Sequence, residues 1–581
     1  MKTVLRYYIP YVPYILLIIL FLFGQAMCEL ALPGYMADII DEGIVKGNMG
    51  VIWDTGLIMI AVSAATMVFA VSGGFLAART AAKSSRDIRH ELFSRVTNFS
   101  AAELEEFSTA SLITRSTNDV QTVQQTTVML LRMAIFAPIM GVGSVVRALE
   151  TSVSLSWTVG VALVTIIVIM VIAFLVVLPK FKVLQQKLDR LNLIMKERLS
   201  GVLVIRAFTT EKREEKRFDI ANWDLTKLNI FINKAMSFLM PALMFVMNAV
   251  GVLIIWAGAH LIEADKLMIG DMLAYLQYAM HVIMSFLFVT MMFIMIPRAA
   301  VSAQRIGAVL EMKPTITDPK DPKEAKDEEQ HGRIEFENVS FAYPDAEEKS
   351  LEGISFTAEP GKTTAIIGGT GSGKSSLVKL IPRFYDVTEG RILVDGINVK
   401  DMTQHDLRAQ IGYVPQKGLL FSGTIATNLQ YGKADATAEE MAEAIEIAQA
   451  TSFIAEKEAG IDEDVAQGGT NVSGGQKQRL SIARALVKKP RIYIFDDSFS
   501  ALDFKTDKAL RKALKEKVGD STIIIVAQRI NTIMDADQIL VLDDGKLAGK
   551  GTHDELMKNC SVYKEIALSQ LSEEELERGR E

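Results

Sequence analysis

Two adjacent carboxylates, Asp496 and Asp497, directly follow four apolar residues in the stretch IYIFDD (492–497). An acid at the end of a buried strand can hold a metal ion, and oxygen atoms are the ligands that Mg²⁺ prefers. A second apolar run, STIIIVAQ (521–528), ends in Gln528, whose amide forms hydrogen bonds but carries no charge. The chemistry of these acids depends on whether another part of the chain binds phosphate.

A glycine-rich stretch supplies the phosphate site. Residues 368–375 read GGTGSGKS and fit the pattern G-x-x-x-x-G-K-S, after an apolar run and before a helical pattern. Glycines let backbone N–H groups approach phosphates at a helix N-terminus. Lys374 would reach the β and γ phosphates of ATP, while Ser375 and Asp496 would ligate Mg²⁺. The predicted ATP-binding residues here are Gly368, Gly369, Thr370, Gly371, Ser372, Gly373, Lys374, Ser375 and Ser376.

The first half of the chain must sit in a membrane. The chain has 581 residues, of which half are hydrophobic, and residues 1–300 contain six apolar stretches long enough to cross a bilayer. The longer loops between them, 79–126 and 179–234, are rich in Lys and Arg. The positive-inside rule places these loops and both termini in the cytoplasm. The predicted spans are near 12–35, 51–78, 127–148, 153–178, 235–262 and 268–297.

The second half alternates short β-like runs with helical patterns, which indicates an α/β domain. A charged, Pro-containing segment separates the halves. The predicted fold is therefore an α-helical membrane domain fused to an α/β P-loop ATPase domain. We expect a membrane domain over 1–310, a linker over 311–332, a nucleotide-binding domain over 333–570 and a charged tail over 571–581. The net charge of −7 gives no reason to expect nucleic acid as a partner.

One further stretch indicates the family. Residues 473–484 read SGGQKQRLSIAR and resemble the signature of ATP-binding-cassette (ABC) ATPases. Six spans followed by one cassette resemble an ABC exporter half-transporter, and the resemblance covers nearly the whole chain. It implies that Tyr343 stacks on adenine, that Gln416 approaches Mg²⁺, and that a D-loop is formed by Ser500, Ala501, Leu502 and Asp503. It also implies a dimer, because each ATP lies between the phosphate loop of one chain and the signature of the other, here Ser473, Gly474, Gly475 and Gln476.

The chain departs from the family at two catalytic positions. Asp497 stands where the family normally has the glutamate that activates the attacking water, and Gln528 stands where it has the switch histidine. A general base must lie within about 2.6–3.2 Å of its proton, and aspartate is one methylene shorter than glutamate. The site formed by this phosphate loop is therefore expected to be degenerate, meaning that it binds ATP but hydrolyses it slowly or not at all.

An intact signature beside a degenerate site resembles one subunit of the heterodimeric bacterial ABC exporters. The resemblance implies ATP-driven export of small amphipathic compounds, drugs or lipids, across the bacterial plasma membrane, with a second half-transporter and membrane lipid as partners. Three alternatives remain open: a homodimeric exporter, an importer of the same fold such as one for siderophores, and a channel-like member gated by ATP. The sequence does not identify the cargo.

Overall fold

The computed structural model describes residues 2–323, 331–344 and 346–571. It divides into two compact units, Met1–Val96 with Ala110–Glu311, and Thr97–Thr109 with Met312–Glu581. Residues 97–109 therefore pack with the second unit, although the sequence places them among the membrane segments. Most of the predicted linker is described, whereas the predicted tail lies outside the described residues except for Leu571.

The first unit is helical. Short 3₁₀ segments (Arg6–Tyr11 and Val153–Leu155) and π-helical segments (Ile39–Ile44 and Arg115–Asp119) join longer α-helices. Of the helices up to residue 311, only α4 belongs to the second unit. These helices are α1 (Lys2–Leu5), α2 (Val12–Asp38), α3 (Met49–Thr97), α4 (Ala101–Glu106), α5 (Thr109–Thr114), α6 (Val120–Thr151), α7 (Ser156–Ser200), α8 (Val202–Ala207), α9 (Glu211–Glu263) and α10 (Ile269–Glu311).

Six helical segments among the described residues are long and apolar enough to cross a membrane, which confirms the predicted number. Several extend far beyond the 20 or so residues that a bilayer requires. Helix α9, for example, has 53 residues. The six segments are Thr3–Ile44, Met49–Thr97, Thr109–Thr151, Val153–Val177, Glu211–Glu263 and Ile269–Glu311.

The interior of the first unit is apolar and includes many small side chains. Helix α6 packs along α10, α7 packs along α9, and α2 lies against both α6 and α10. Ala26, Ala162 and Ala279 are completely buried in this core. Small side chains allow helices to approach closely, which matters in lipid because dispersion and close packing hold membrane helices together.

A polar contact joins two helices at one end of this unit. The carboxylate of Asp41, in the π-helical segment after α2, accepts a hydrogen bond from the N–H of Gly270 at 2.8 Å. A β-carbon on Gly270 would lie 2.5 Å from both the Ala37 carbonyl oxygen and Asp41 Oδ2. Only glycine fits this approach without displacing its neighbours.

The second unit is an α/β domain, as predicted. Its strands are β1 (Ile334–Phe341), β2 (Leu351–Ala358), β3 (Thr363–Gly368), β4 (Glu389–Val394), β5 (Ile397–Asn398), β6 (Ile411–Val414), β7 (Gly423–Thr424), β8 (Asp464–Val465), β9 (Ile492–Asp496), β10 (Thr522–Val526), β11 (Gln538–Asp543) and β12 (Lys546–Gly551). Its remaining helices are α11 (Lys374–Leu380), α12 (Gln404–Ala409), α13 (Ile425–Gln430), α14 (Ala438–Ile447), α15 (Thr451–Ala455), α16 (Gly474–Val487), α17 (Phe504–Lys517), α18 (His553–Asn559) and α19 (Ser561–Gln570).

The main sheet brings the chemistry-bearing residues to one edge. Its strand order is β12-β11-β3-β10-β9-β6, and every neighbouring pair from β11 to β6 is parallel. Val526, at the end of β10, pairs with Asp496 at the end of β9. Because parallel strands end at the same edge, the segments that follow β3, β6, β9 and β10 meet there.

Candidate functional site

The phosphate loop connects β3 to α11, which is the context that its spacing predicts. Gly371 and Gly373 have φ angles of 86° and 92°, in the region where glycine is favoured. A β-carbon on Gly373 would lie 2.8 Å from the Ser350 carbonyl oxygen, and one on Gly368 would lie 2.1 Å from the Leu542 carbonyl oxygen. The loop thus requires glycine both for its backbone conformation and for its close packing.

Lys374 lies across this loop. Its ammonium donates hydrogen bonds to the carbonyl oxygens of Gly368 at 2.9 Å and Gly369 at 2.6 Å. Burial lowers the pKa of the ammonium, against the opposing effect of Asp497 and Asp496. A cation held by carbonyl groups over a glycine loop fits the terminal phosphates of a nucleotide, which would replace those weaker partners.

Ser375 and Asp496 form the predicted metal-binding pair. The Ser375 hydroxyl donates to Asp496 Oδ1 at 2.9 Å, and Tyr413 donates to Asp496 Oδ2 at 3.3 Å. Burial raises the pKa of Asp496, although the hydrogen bonds from Ser375 and Tyr413 lower it. The described residues contain no group of three His, Cys, Asp or Glu side chains that could hold a metal. The Ser375 hydroxyl and the Asp496 carboxylate are oxygen donors, so this pair fits Mg²⁺, which needs few protein ligands and takes others from phosphate and water.

Asp497 is hydrogen-bonded to the other two predicted catalytic residues, Gln416 and Gln528. Its Oδ2 accepts hydrogen bonds from the side-chain amides of Gln416 at 3.0 Å and Gln528 at 2.8 Å. The residue is 6% exposed and has a φ of 49°, an uncommon conformation outside glycine. Its N–H donates to the Val526 carbonyl oxygen at 3.0 Å, so the backbone of this strained residue is held by the neighbouring strand.

Tyr343 lies beside the helix that follows the phosphate loop. Its hydroxyl is 2.9 Å from Ser376 Oγ, and its ring packs edge-on against Tyr385 with centroids 5.2 Å apart. The ring is partly buried and borders the same cavity as the phosphate loop. This position is compatible with the predicted contact between Tyr343 and a base.

These groups surround an open cavity of about 490 Å³. Asp496 and Asp497 lie below its surface, and both glutamines border it. One side of the cavity, formed by the loop before β2 and the turn after β11, was not predicted from the sequence. The only indication in the sequence was the turn-forming stretch DDG at 543–545. The lining residues are Tyr343, Glu348, Lys349, Ser350, Thr370, Gly371, Ser372, Gly373, Lys374, Ser375, Ser376, Gln416, Gln528, Asp544 and Gly545.

The signature residues begin helix α16 away from this cavity. Ser473 caps the helix: its hydroxyl accepts from the Gln476 N–H at 3.4 Å, and the Gln476 side chain accepts from the Ser473 N–H at 3.1 Å. Ser473 and Gly474 are exposed, and within the described part of the chain none of residues 473–476 borders the cavity. A chain on its own therefore brings the phosphate loop and the two catalytic-position residues together, but leaves the signature outside.

The predicted D-loop lies between these two sites. Ser500 Oγ donates to the Asp497 carbonyl oxygen at 2.8 Å, Leu502 is buried, and Asp503 caps α17 through the Thr506 N–H at 3.0 Å. A β-carbon on Gly475 would lie 3.2 Å from the Ala501 carbonyl oxygen. The start of the signature helix thus rests against the loop that follows Asp497.

Gln478 is a residue that sequence reasoning missed. It is 2% exposed and projects from α16 to the segment that carries Gln416. Its amide donates to the Pro415 carbonyl oxygen at 3.1 Å and accepts from the Gly418 N–H at 2.9 Å. Gln478 therefore fixes the backbone on both sides of Gln416. A polar residue in an amphipathic helix gave no signal of this role.

Comparison with known proteins identifies the family of this chain. The model of the ABC transporter transmembrane region matches residues 15–286, and the ABC transporter model matches residues 351–500. A Bacillus subtilis (strain 168) relative described as the uncharacterized ABC transporter ATP-binding protein YfiB is 39% identical over 578 residues, which is 99% of both chains. The probable multidrug resistance ABC transporter ATP-binding/permease protein YheI of the same organism is 33% identical over 486 residues, 82% of this chain and 81% of its own.

A solved structure shows the same overall fold. It is a bacterial Atm1-family ABC exporter with ATP bound, and it matches with a TM-score of 0.78 and 26% identity over 97% of this chain and 98% of that one. This chain therefore belongs to the ABC transporter family and has the exporter-type fold, with a transmembrane part and an ATP-binding part.

Proposed function

We propose that this chain is one subunit of a heterodimeric ABC exporter, in which its own phosphate loop forms a degenerate ATP site. The observation that carries the proposal is the pair of amides on Asp497. Gln416 and Gln528 both donate to the same carboxylate oxygen, at 3.0 and 2.8 Å. To take a proton from water, this oxygen would have to give up one of these partners.

The short side chain of Asp497 also argues against hydrolysis at this site. Aspartate is shorter than glutamate by one carbon–carbon bond, about 1.5 Å, and this carboxylate is 6% exposed. A general base has to lie within about 2.6–3.2 Å of the proton that it removes. Gln528 could donate a hydrogen bond to a terminal phosphate, but it cannot supply positive charge there. The proposal therefore assigns nucleotide binding, and little hydrolysis, to this site.

The binding roles follow from the contacts of each group. Lys374 and the N–H groups of the phosphate loop would bind phosphates, and Tyr343 would contact adenine. Ser375, Asp496 and Gln416 would hold Mg²⁺, which supplies charge neutralisation on the phosphate oxygens when bound. Gln416 would present its amide oxygen to the metal, and its amide nitrogen would keep the hydrogen bond to Asp497.

The heterodimer is supported by the contrast between the two ATP-facing surfaces of the chain. The phosphate-loop side carries two departures from the family, whereas the signature is intact and its helix N-terminus is exposed. Free N–H groups and the helix dipole there favour a terminal phosphate. The signature can complete an ATP site only on another chain. If that chain has a glutamate and a histidine at the positions equivalent to Asp497 and Gln528, the shared site would be competent for hydrolysis.

The proposed cargo is an amphipathic compound. Within the first unit, helices α6, α7 and α10 border an open apolar groove of about 330 Å³, lined by side chains that include Pro138, Leu163 and Phe286. An apolar groove on a membrane domain suits drugs or lipids, and one relative is described as a probable multidrug resistance transporter. The basic long loops support a location in the bacterial plasma membrane with both termini in the cytoplasm.

The test is Mg²⁺-dependent ATP hydrolysis by the full chain, purified alone in lipid. The Lys374→Ala variant serves as the control for hydrolysis at this site. The proposal expects nucleotide binding with little turnover. Robust turnover that Lys374→Ala abolishes would mean that a homodimer suffices and that Asp497 works as a base.

A further inference from the structure

The last helix that the structure describes, α19, is hydrogen-bonded to the loop that carries Gln528. The side-chain amide of Gln570 donates to the Gln528 carbonyl oxygen at 2.7 Å and accepts from the Ile530 N–H at 2.9 Å. A single side chain thus binds the backbone on both sides of Arg529. This arrangement imitates the paired hydrogen bonds between two strands.

This contact begins where the sheet ends. The Ala527 N–H donates to the Ile366 carbonyl oxygen at 3.1 Å, which continues the ladder between β10 and β3. The next residue, Gln528, has left the sheet and borders the nucleotide cavity. Gln570 therefore supports the loop at the point where the main sheet no longer does.

Helix α19 is firmly packed, so the position of Gln570 is well defined. Tyr563 and Ala567 are completely buried, and with Gln570 they occupy positions i, i+4 and i+7, which share one helix face. The Tyr563 hydroxyl lies 2.7 Å from His553 Nδ1 in the preceding helix. The buried anchors direct the face that ends at Gln570 toward the loop.

The contacts continue into the candidate site. Gln528 donates its side-chain amide to Asp497 Oδ2 at 2.8 Å while its carbonyl oxygen accepts from Gln570. Any rotation of the Gln528 backbone would move that amide relative to the cavity. We propose that Gln570 is a positioning residue, which holds the Gln528 amide where it distinguishes ATP from ADP. This inference rests on the proposed function, in which Gln528 donates to the terminal phosphate.

The experiment compares the affinities of the full chain for ATP and for ADP, in lipid nanodiscs with Mg²⁺. The variants are Gln570→Ala, Gln570→Glu and Gln528→Ala, together with the double variant of Gln570→Ala and Gln528→Ala. Glutamate at 570 can still accept from Ile530 but cannot donate to Gln528 while ionised. Ser569→Ala is the matched control, because its hydroxyl bonds only within its own helix in the contacts described.

We expect Gln570→Ala to lower the ratio of ATP to ADP affinity by about threefold to tenfold, which is the range of one ordinary hydrogen bond. Gln570→Glu should fall between this variant and the unaltered chain. ADP affinity should stay constant, and Ser569→Ala should change neither value. In the Gln528→Ala background, Gln570→Ala should have no additional effect, since it acts through the Gln528 amide.

Three results would overturn the inference, and they differ in what else they imply. If Gln528→Ala lowers the ratio and Gln570→Ala does not, the positioning role is wrong but the proposed function stands. If Gln528→Ala itself leaves the ratio unchanged, its contact with the terminal phosphate is wrong, and the inference fails with it. If Gln570→Ala weakens ATP and ADP equally, the residue only stabilises the domain.

Discussion

The Tyr385 hydroxyl donates a hydrogen bond to Glu105 Oε1 at 2.7 Å, although the two residues are 280 positions apart in the chain. Glu105 belongs to α4, the short helix that packs with the ATP-binding unit. The ring of Tyr385 packs against Tyr343, whose hydroxyl lies 2.9 Å from Ser376 Oγ. Burial raises the pKa of Tyr385, and Glu105 raises it further, so the phenol stays protonated as a donor. A short path of side chains therefore connects α4 with the nucleotide site.

This hydrogen bond can be measured by thermal unfolding of the full chain in lipid. Tyr385→Phe keeps the ring and removes the donor, while Glu105→Ala removes the acceptor. Each should lower the unfolding midpoint of the ATP-binding unit by about 2–4 °C, the shift that 1 kcal/mol produces in a domain of this size. The double variant should lose no more than the larger single effect. Fully additive losses would show that the two residues are not coupled.

Glu103, in the same helix, gives a prediction about pH. It is buried, and its carboxylate accepts from the Ser100 N–H at 2.7 Å and the Thr315 N–H at 2.9 Å. Burial alone would raise the pKa of Glu103, but these hydrogen bonds and those from the two hydroxyls lower it. A lowered pKa stabilises the folded state above the unfolded value, and this stability is lost as the pH falls through the folded value.

We therefore expect the unfolding midpoint to decrease as the pH falls from about 5 toward 3, around and below the ordinary glutamate pKa. Glu103→Gln should be less stable at neutral pH and should show a smaller decrease over this range. Glu106→Gln, at an exposed neighbouring position, is the matched control. An equal pH dependence in Glu103→Gln and the unaltered chain would exclude Glu103 as the source.

Restoring the family residues should restore hydrolysis. The combined substitution Asp497→Glu and Gln528→His should raise ATP turnover of the assembled transporter to about twofold, because a positioned general base would add a second working site beside the partner's competent one. The measurement is phosphate release in lipid, with Lys374→Ala added to show that the gain comes from this site. No increase would mean that the degeneracy lies elsewhere or that this site does not limit turnover.

The signature makes a prediction about the other ATP site. Ser473→Ala removes the cap of α16 and the hydroxyl that would face a partner's nucleotide, so turnover of the assembled transporter should fall by about tenfold to hundredfold, the effect of losing one hydrogen bond to a charged group. ATP binding at this chain's own phosphate loop should be unchanged. Ser473→Thr, which keeps the hydroxyl, should retain most of the turnover. Unchanged turnover in Ser473→Ala would contradict a shared site.

Gly270→Ala tests the close approach in the first unit. The added carbon would meet the Ala37 carbonyl oxygen and Asp41 Oδ2 at 2.5 Å, and would displace the hydrogen bond between Asp41 and the Gly270 N–H. We expect a loss of about 1–3 kcal/mol, typical of overpacking, measured as a lower unfolding midpoint in lipid. Gly56→Ala is the control, since nothing lies within 4 Å of its added carbon. Equal midpoints for both variants would show that the contact is loose.

Much of the fold was predictable because the signals are local. Apolar length alone predicts the six membrane helices, and the spacing GGTGSGKS predicts a strand, a loop and a helix. The meeting of Gln416 and Gln528 on one oxygen of Asp497 was not predictable. It depends on β6, β9 and β10 being neighbours, and alternation of β-like and helical patterns does not specify strand order.

Two other features were hidden for a similar reason. The sequence SAAE at 100–103 is a recognisable capping box, but nothing in it shows that Glu103 also binds the Thr315 N–H. Gln570 is an exposed glutamine near the end of an amphipathic helix. Its hydrogen bonds to the backbone of Gln528 and Ile530 depend on how α19 packs. Side chains that bind a distant backbone leave no periodic pattern.

The packing of residues 97–109 with the second unit has a consequence for biosynthesis. Ala101 and Ala102 cover part of an apolar cluster to which Phe336, Tyr385 and Val394 belong. The ribosome makes α4 long before that cluster, and Tyr385 is synthesised 280 residues after Glu105. At about 5–20 residues per second, this delay is about 14–56 s. The nascent chain therefore carries α4 without its packing partner for almost half of its synthesis, 280 of 581 residues. An ATP-binding unit made without α4 would emerge with the complementary apolar surface uncovered.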